Sequence, residues 1–267
     1  MKIGVTGCAG RMGKMLLNRI LTNKDCELSG GSERRESGFI GRDIGEIIAN
    51  RPLNLMVTAY PFELFEASDA VIDFTAPAAT IEHAKIAAET GKILVVGTTG
   101  MTAEQLDVLK KCAEKTVIIA SPNMSVGVNL LFSLVKKAAE ILDPSYDIEI
   151  LEMHHRNKAD APSGTALGLG KAAAEGRQIS LTEKACYERH GNTGVRPTGE
   201  IGFATLRGGD VVGDHTVVFA GLGERIELTH KASSREIFAD GAIRAALWGQ
   251  GKTNGLYTMA DVLGLNQ

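Results

Sequence analysis

No two cysteines in this chain share a C-x-x-C spacing. The four, at positions 8, 26, 112 and 186, lie far apart. That excludes a zinc-ribbon pattern and a disulfide framework, and it predicts a reducing, cytoplasmic setting. Neither sign of charge is in large excess: 29 Lys+Arg against 32 Asp+Glu give a formal charge of -3. A general nucleic-acid binder would be basic, so nucleic acid is not an expected partner, and there is no polybasic patch for a membrane. The longest uncharged stretch, Thr116–Val135, is interrupted by Ser121, Pro122, Asn123, Ser125 and Asn129. It reads as strand, loop and helix rather than as a membrane span. The first residues show no apolar run followed by a cleavage site, so no signal peptide is expected.

Proline is scarce, at 7 residues, whereas glycine is plentiful, at 31. Glycine without a repeat period points to tight turns and close backbone approaches, as a dinucleotide site uses. At 267 residues, 44% apolar and 23% charged, the chain is globular, with room for one large or two smaller domains.

The first half alternates apolar runs with helical patterns. Strands are predicted at 2–6, 27–30, 55–59, 70–75, 92–97 and 117–121, and helices at 11–22, 78–90 and 103–115. The strand runs lack period-2 alternation, which suits strands buried on both faces of a parallel sheet. Pro77 can open one helix and Gly91 close it. Thr102 and Gln105 form a capping-box pattern. Beyond Pro122 the character changes. A helix is predicted over 126–142, then an alternating strand over 146–155 and a helix over 165–174. Strands follow at 200–206, 211–220 and 225–230, and a last helix at 235–248. The expected class is α/β: a Rossmann-like dinucleotide-binding domain, 1–124 completed by 235–267, plus an α+β domain with a mixed sheet, 125–234.

Two segments carry chemistry. Gly7-Cys8-Ala9-Gly10-Arg11-Met12-Gly13 follows the first strand and opens the first helix. The glycines let backbone approach a pyrophosphate, and the helix start offers amides and a positive dipole end. Arg11 can add a charge-assisted contact. Glu33, about 20 residues on, is placed to bind ribose hydroxyls, and Arg34 to hold a 2′-phosphate. Gly97-Thr98-Thr99 and Ser121-Pro122-Asn123-Met124 follow the next strands, where ligands sit in open α/β sheets. The bland reading of each loop is an ordinary turn.

The second segment runs from Glu152 to Ala166: E-M-H-H-R-N-K-A-D-A-P-S-G-T-A. Two histidines end a strand, a lysine follows, and Ser163-Gly164-Thr165 opens a helix. Such a set handles protons beside an anion-binding helix start. Adjacent histidines on a strand point to opposite faces and no cysteine or H-E-x-x-H stands nearby, so no metal is expected. The bland reading is a pair of surface histidines. His83 reads as structural, and His190, His215 and His230 cannot be ranked.

With G-x-x-G-R-M-G at 7–13, G-T-T-G at 97–100, Asn123-x-Ser125-x-Gly127 and the unbroken E-x-H-H-x-x-K-x-D-A-P-S-G-T-A at 152–166, the chain resembles the dihydrodipicolinate reductase family over nearly its whole length. Met124 departs from the aromatic expected there in many members. The resemblance implies an NADH- or NADPH-dependent reduction of a cyclic imine dicarboxylate, 4-hydroxy-tetrahydrodipicolinate. The hydroxyl is lost as water, on the diaminopimelate route to lysine. It implies His154 as proton donor and acceptor, Lys158 as proton donor, and His155, Gly164 and Thr165 as carboxylate ligands. Gly7, Cys8, Ala9, Gly10, Arg11, Met12, Glu33, Arg34, Gly97, Thr98, Thr99 and Ser121 to Met124 would line the cofactor. It further implies a homotetramer joined through the second domain's sheet, and hinge closure over the substrate. Rival readings are another two-domain dehydrogenase and a non-catalytic NAD(P) sensor. A semialdehyde dehydrogenase needs a nucleophilic cysteine that Cys8 and Cys186 do not supply in context. A sensor has no use for proton donors.

Overall fold

The computed structural model describes residues 1–48 and 51–265. Residues 49 and 50, within the predicted segment 1–124, and 266 and 267, within 235–267, lie outside the described residues. The chain divides into two compact units, Met1–Val126 with Glu236–Gln267, and Gly127–Arg235.

The first unit holds β1 (Lys2–Thr6), α1 (Arg11–Thr22), β2 (Glu27–Ser32), α2 (Ile44–Ile47), α3 (Pro61–Glu66), β3 (Ala70–Asp73), α4 (Pro77–Thr90), β4 (Ile93–Val96), α5 (Ala103–Ala113) and β5 (Val117–Ala120). The chain then passes through α6 (Val126–Ile141), β6 (Asp147–His154), α7 (Gly164–Arg177), α8 (Leu181–Lys184), β7 (Ala185–Cys186), β8 (Ile201–Arg207), β9 (Gly213–Ala220) and β10 (Arg225–Ala232). It ends in α9 (Glu236–Gly249), β11 (Gly255–Tyr257) and α10 (Met259–Leu263), which belong to the first unit.

Six strands of the first unit form a parallel sheet in the order β11-β5-β4-β3-β1-β2. Both faces are covered. Ile3, Val5, Ile72, Val95 and Ile119 meet α1 and α9 on one face. Val71, Leu94, Val96 and Ile118 meet α3, α4 and α5 on the other. Ile3–Thr6, Ala70–Asp73, Leu94–Val96 and Val117–Ile119 are thus buried at every position, which is why these runs show no alternation. Pro77 stands in the first turn of α4, and Gly91 closes it at φ +68°. Thr102 and Gln105 make the full capping box of α5.

One predicted strand is corrected. Residues 55–59 do not form a sheet strand; the segment makes only isolated bridges, Thr58 to Ser32 and Met56 to Asp43. The Asp43 carboxylate accepts the amides of Gly45, Leu53 and Asn54 and loops the chain just before this segment, whose Val57 and Thr58 amides then go to the separate carbonyls of Arg42 and Gly31. β11 and α3 were not anticipated. β11 extends the sheet by pairing parallel with β5.

The second unit has a mixed sheet, β10-β9-β6-β8-β7, antiparallel across β10, β9 and β6 and parallel from β6 through β7. One face carries Ile148, Ile150, Ile201, Phe203, Val217 and Phe219 against Leu131 and Val135 of α6 and Leu169 and Ala173 of α7. Among the described residues no helix is long and apolar enough to cross a membrane.

Candidate active site

In the first unit the order of strands reverses at β1, which has β2 on one side and β3 on the other. A crevice opens at the carboxyl ends of strands at such a switch point. There β1 turns through Gly7 at φ +63°, and the Gly10 amide closes the turn on the Gly7 carbonyl at 3.0 Å. A Cβ on Gly13 would lie 2.2 Å from that same carbonyl oxygen. Only glycine lets α1 start so close behind β1. No side chain caps α1, so its first amides and positive end are left for an anion. The loop fits a dinucleotide pyrophosphate.

The structure divides the predicted loop residues by role. The Cys8 amide donates to Ser32 O at 3.2 Å, and its side chain is wholly buried against Gly31. Burial first, then the charge of Glu33, pushes this thiol up to about 12, so it is no nucleophile. Glu33 reaches the loop and accepts the Ala9 amide at 2.9 Å. Arg11 and Arg34 are exposed and Met12 is half-buried. The Thr98 hydroxyl accepts the Thr75 amide at 3.1 Å and pairs with Thr80 at 2.9 Å. Beneath it Asp73, fully buried, holds Thr75 and the His83 ring, 3.0 Å away. Thr98 and His83 therefore shape the loop, and Thr99 is the exposed residue of the pair. Gly97 lies where a Cβ would strike the Phe74 ring. Ser121 donates to the Asn123 carbonyl beside exposed Pro122. Met124 is 1% exposed and packs in the unit's core.

In the second unit, β6 explains the other cluster. Its covered face runs Ile148, Ile150, Glu152, His154, with period 2. The face is apolar at the start of the strand and titratable at its end. Glu152, 1% exposed, accepts both Arg207 nitrogens at 2.8 and 2.9 Å and the Ser163 amide at 3.0 Å. His154 Nδ1 stands 2.5 Å from its other side, at Oε2. Burial works against the Glu152 charge, yet the bonds from Arg207 and His154 hold it below the usual carboxylate range. Burial holds His154 below the ordinary histidine value, and Glu152 opposes this only in part.

His155 starts the next loop, where Arg235 Nη2 lies 3.2 Å from its Nε2. Lys158 pairs with Asp160 at 2.9 Å. Ser163 caps α7 by accepting the Ala166 amide at 3.1 Å, with Gly164 exposed and Thr165 half-buried at the helix start. His154, His155, Lys158, Gly164 and Thr165 thus surround one strand end and one helix start. Arg207, His215 and Arg235 were not singled out from the sequence. His215 bonds Ser163 Oγ at 3.0 Å and its ring meets His154 edge-on at 5.0 Å.

Profiles for the two halves of one family match the chain: dihydrodipicolinate reductase, N-terminus, over residues 1–124, and C-terminus over 127–263. The chain belongs to the dihydrodipicolinate reductase family. A 4-hydroxy-tetrahydrodipicolinate reductase of Ruegeria pomeroyi is 53% identical over 98% of both chains. One from Brucella abortus is 52% identical over the whole of both. Among solved structures, a dipicolinate-bound dihydrodipicolinate reductase from Paenisporosarcina sp. TG-14 aligns with a TM-score of 0.79 at 26% identity, covering 98% of each chain. A probable dehydrogenase from Thermotoga maritima shares the fold, with a TM-score of 0.62 at 13% identity over 99% of this chain and 93% of its own.

Proposed function

We propose that the chain catalyses the NADH- or NADPH-dependent reduction of 4-hydroxy-tetrahydrodipicolinate to tetrahydrodipicolinate, with loss of water, in the diaminopimelate route to lysine. The observation that carries this reading is the join of a carboxylate-held histidine and a lysine to an anion-ready helix start, in a chain that also has an uncapped glycine loop. Neither a sensor nor a plain binding module needs that pairing.

A bound NADH or NADPH supplies the hydride. The first-turn amides of α1 and the Gly7–Gly10 turn would hold its pyrophosphate. Glu33 would bind ribose hydroxyls and Arg34 a 2′-phosphate. Exposed Thr99 and the 121–123 loop would border the cofactor, with Met124 packed behind them in the core. In the second unit His155 and the backbone of Gly164 and Thr165 orient a ring carboxylate, as a helix start does. Lys158 Nζ holds the proton that leaves with the hydroxyl as water. His154 exchanges a proton at Nε2, since Nδ1 is committed to Glu152. The chain works as a cytoplasmic homotetramer. Dipicolinate in the Paenisporosarcina structure, a ring with two carboxylates, supports this substrate class.

The test is oxidation of NADH or NADPH followed by absorbance, with the unstable substrate made in situ by the preceding synthase. Oxidation that depends on that substrate is expected. No oxidation by a chain that still binds the cofactor refutes the assignment. Lys158→Ala should lower turnover by at least 10²-fold, the usual weight of a proton donor, with cofactor affinity unchanged. Equal losses in both would remove Lys158 from the proton step.

A further inference from the structure

We propose that Glu152, Arg207 and Gly213 are positioning residues for His154: the first two fix which ring nitrogen carries its proton, and the third keeps the other nitrogen open. The inference rests on the reading of His154 as the proton-handling group.

The sheet register brings these residues together. β6 lies between β8 and β9, which sets Glu152 opposite Thr205 on one side and His215 on the other. Two residues along the same face, His154 stands opposite Arg207. Arg207 grips both oxygens of Glu152 as a fork, and its Nη2 also donates to the Asp160 carbonyl at 2.7 Å. One guanidinium therefore fastens the histidine's partner and the loop that carries Lys158.

Both Glu152 oxygens are occupied by donors: Oε1 by Arg207 and the Ser163 amide, with the Thr205 hydroxyl at 3.4 Å, and Oε2 by Arg207 and His154. So many donors keep the carboxylate ionised, and an ionised carboxylate only accepts. The hydrogen of the neutral imidazole is therefore on Nδ1, and Nε2 is the nitrogen that gains and loses a proton. A buried ion pair stabilises a fold little better than apolar packing of the same volume. What the pair supplies here is orientation.

Gly213 completes the arrangement. Its φ is not in the left-handed region, so backbone strain does not demand glycine. A Cβ there would lie 3.0 Å from His154 Nε2 and 3.3 Å from Cδ2. Any side chain at this position would press on the exchanging nitrogen. The other titratable groups around the ring are His215 on β9, His230 opposite it on β10, and Lys158 with Asp160 on the following loop.

The experiment compares Glu152→Gln, Arg207→Lys, Arg207→Met and Gly213→Ala with the parent and with His154→Gln. It measures turnover on substrate generated in situ, NADH affinity by fluorescence titration, and the His154 tautomer by nitrogen NMR of histidine-labelled protein. In the parent, His154 should show the Nδ1–H form. Glu152→Gln should shift it away from that form and cut turnover by about 10- to 100-fold, as loss of an orienting partner does elsewhere, with NADH affinity unchanged. Arg207→Lys should retain more turnover than Arg207→Met. Gly213→Ala should lower turnover while the Nδ1–H form persists. An unchanged tautomer and turnover in Glu152→Gln overturn the proposal. If that variant does not fold, Gly213→Ala decides alone, because it breaks no ion pair, and full turnover there refutes the inference. If His154→Gln keeps its activity, the assignment of His154 itself fails. If His154→Gln is inactive and the others match the parent, only the positioning inference fails.

Discussion

His215 shows how one buried side chain ties stability to pH. Burial first, and then the neighbouring His154, push it down to about 4 from an ordinary 6.5. Above pH 6.5 the ring is neutral in both folded and unfolded chains, and it contributes nothing to pH dependence. Below 6.5 the unfolded chain takes up a proton that the folded chain refuses until about pH 4. Stability therefore falls as the pH drops through that window, by about 2 kcal/mol at pH 5 from this residue. His154 and His230 are also held low, chiefly by burial, and add in the same direction. The thermal midpoint should decline from pH 7 to pH 5, and His215→Asn should flatten that decline. An identical slope in the variant would show that His215 does not titrate as its surroundings require.

At the scale of elements, the approach of α1 to β1 depends on Gly13. Gly13→Ala places a methyl against backbone, at 2.2 Å from Gly7 O and 2.7 Å from Cys8, where no side-chain rotation can relieve it. A loss of about 1–3 kcal/mol is expected from such overpacking, with weaker NADH binding because the loop must shift. Calorimetry and a cofactor titration check both, and unaltered NADH affinity would detach the glycine loop from the cofactor. This same loop was legible in the sequence because its signal is local: an apolar strand, three glycines, then a helical period. The alternation in β6 was legible for the same reason. The partners of β6 were not. Arg207 and His215 are 55 and 63 positions from Glu152, and strand register alone brings them together. Residues 55–59 misled through their apolar character: Asp43 takes the amides of Leu53 and Asn54 just before them, and the Val57 and Thr58 amides then go singly to the carbonyls of Arg42 and Gly31. β11 is three residues long, too short to show a period.

At the scale of the whole molecule, the second unit's sheet packs its apolar core on one face. The face opposite its core carries Leu151 and Leu206, 41% and 47% exposed, with Ala204 and Val218 close by in the register. A sheet face of this kind is stable in water when another chain covers it. That is the physical support for the proposed homotetramer. Light scattering should give the mass of four chains at micromolar concentration, and Leu151→Lys with Leu206→Lys should reduce it. A parent that runs as a monomer would refute the assembly. Residues on β6 alternate, so Leu151 and Met153 point away from the core while Glu152 and His154, between and beyond them, belong to the proposed proton site on the covered face. A copy packed on one face would therefore stiffen the strand that carries the other. The double variant should lose turnover along with its mass, while NADH affinity, set by the first unit's glycine loop, stays at the parent's value. Full turnover in a dissociated chain would show that the site needs no help from its neighbours.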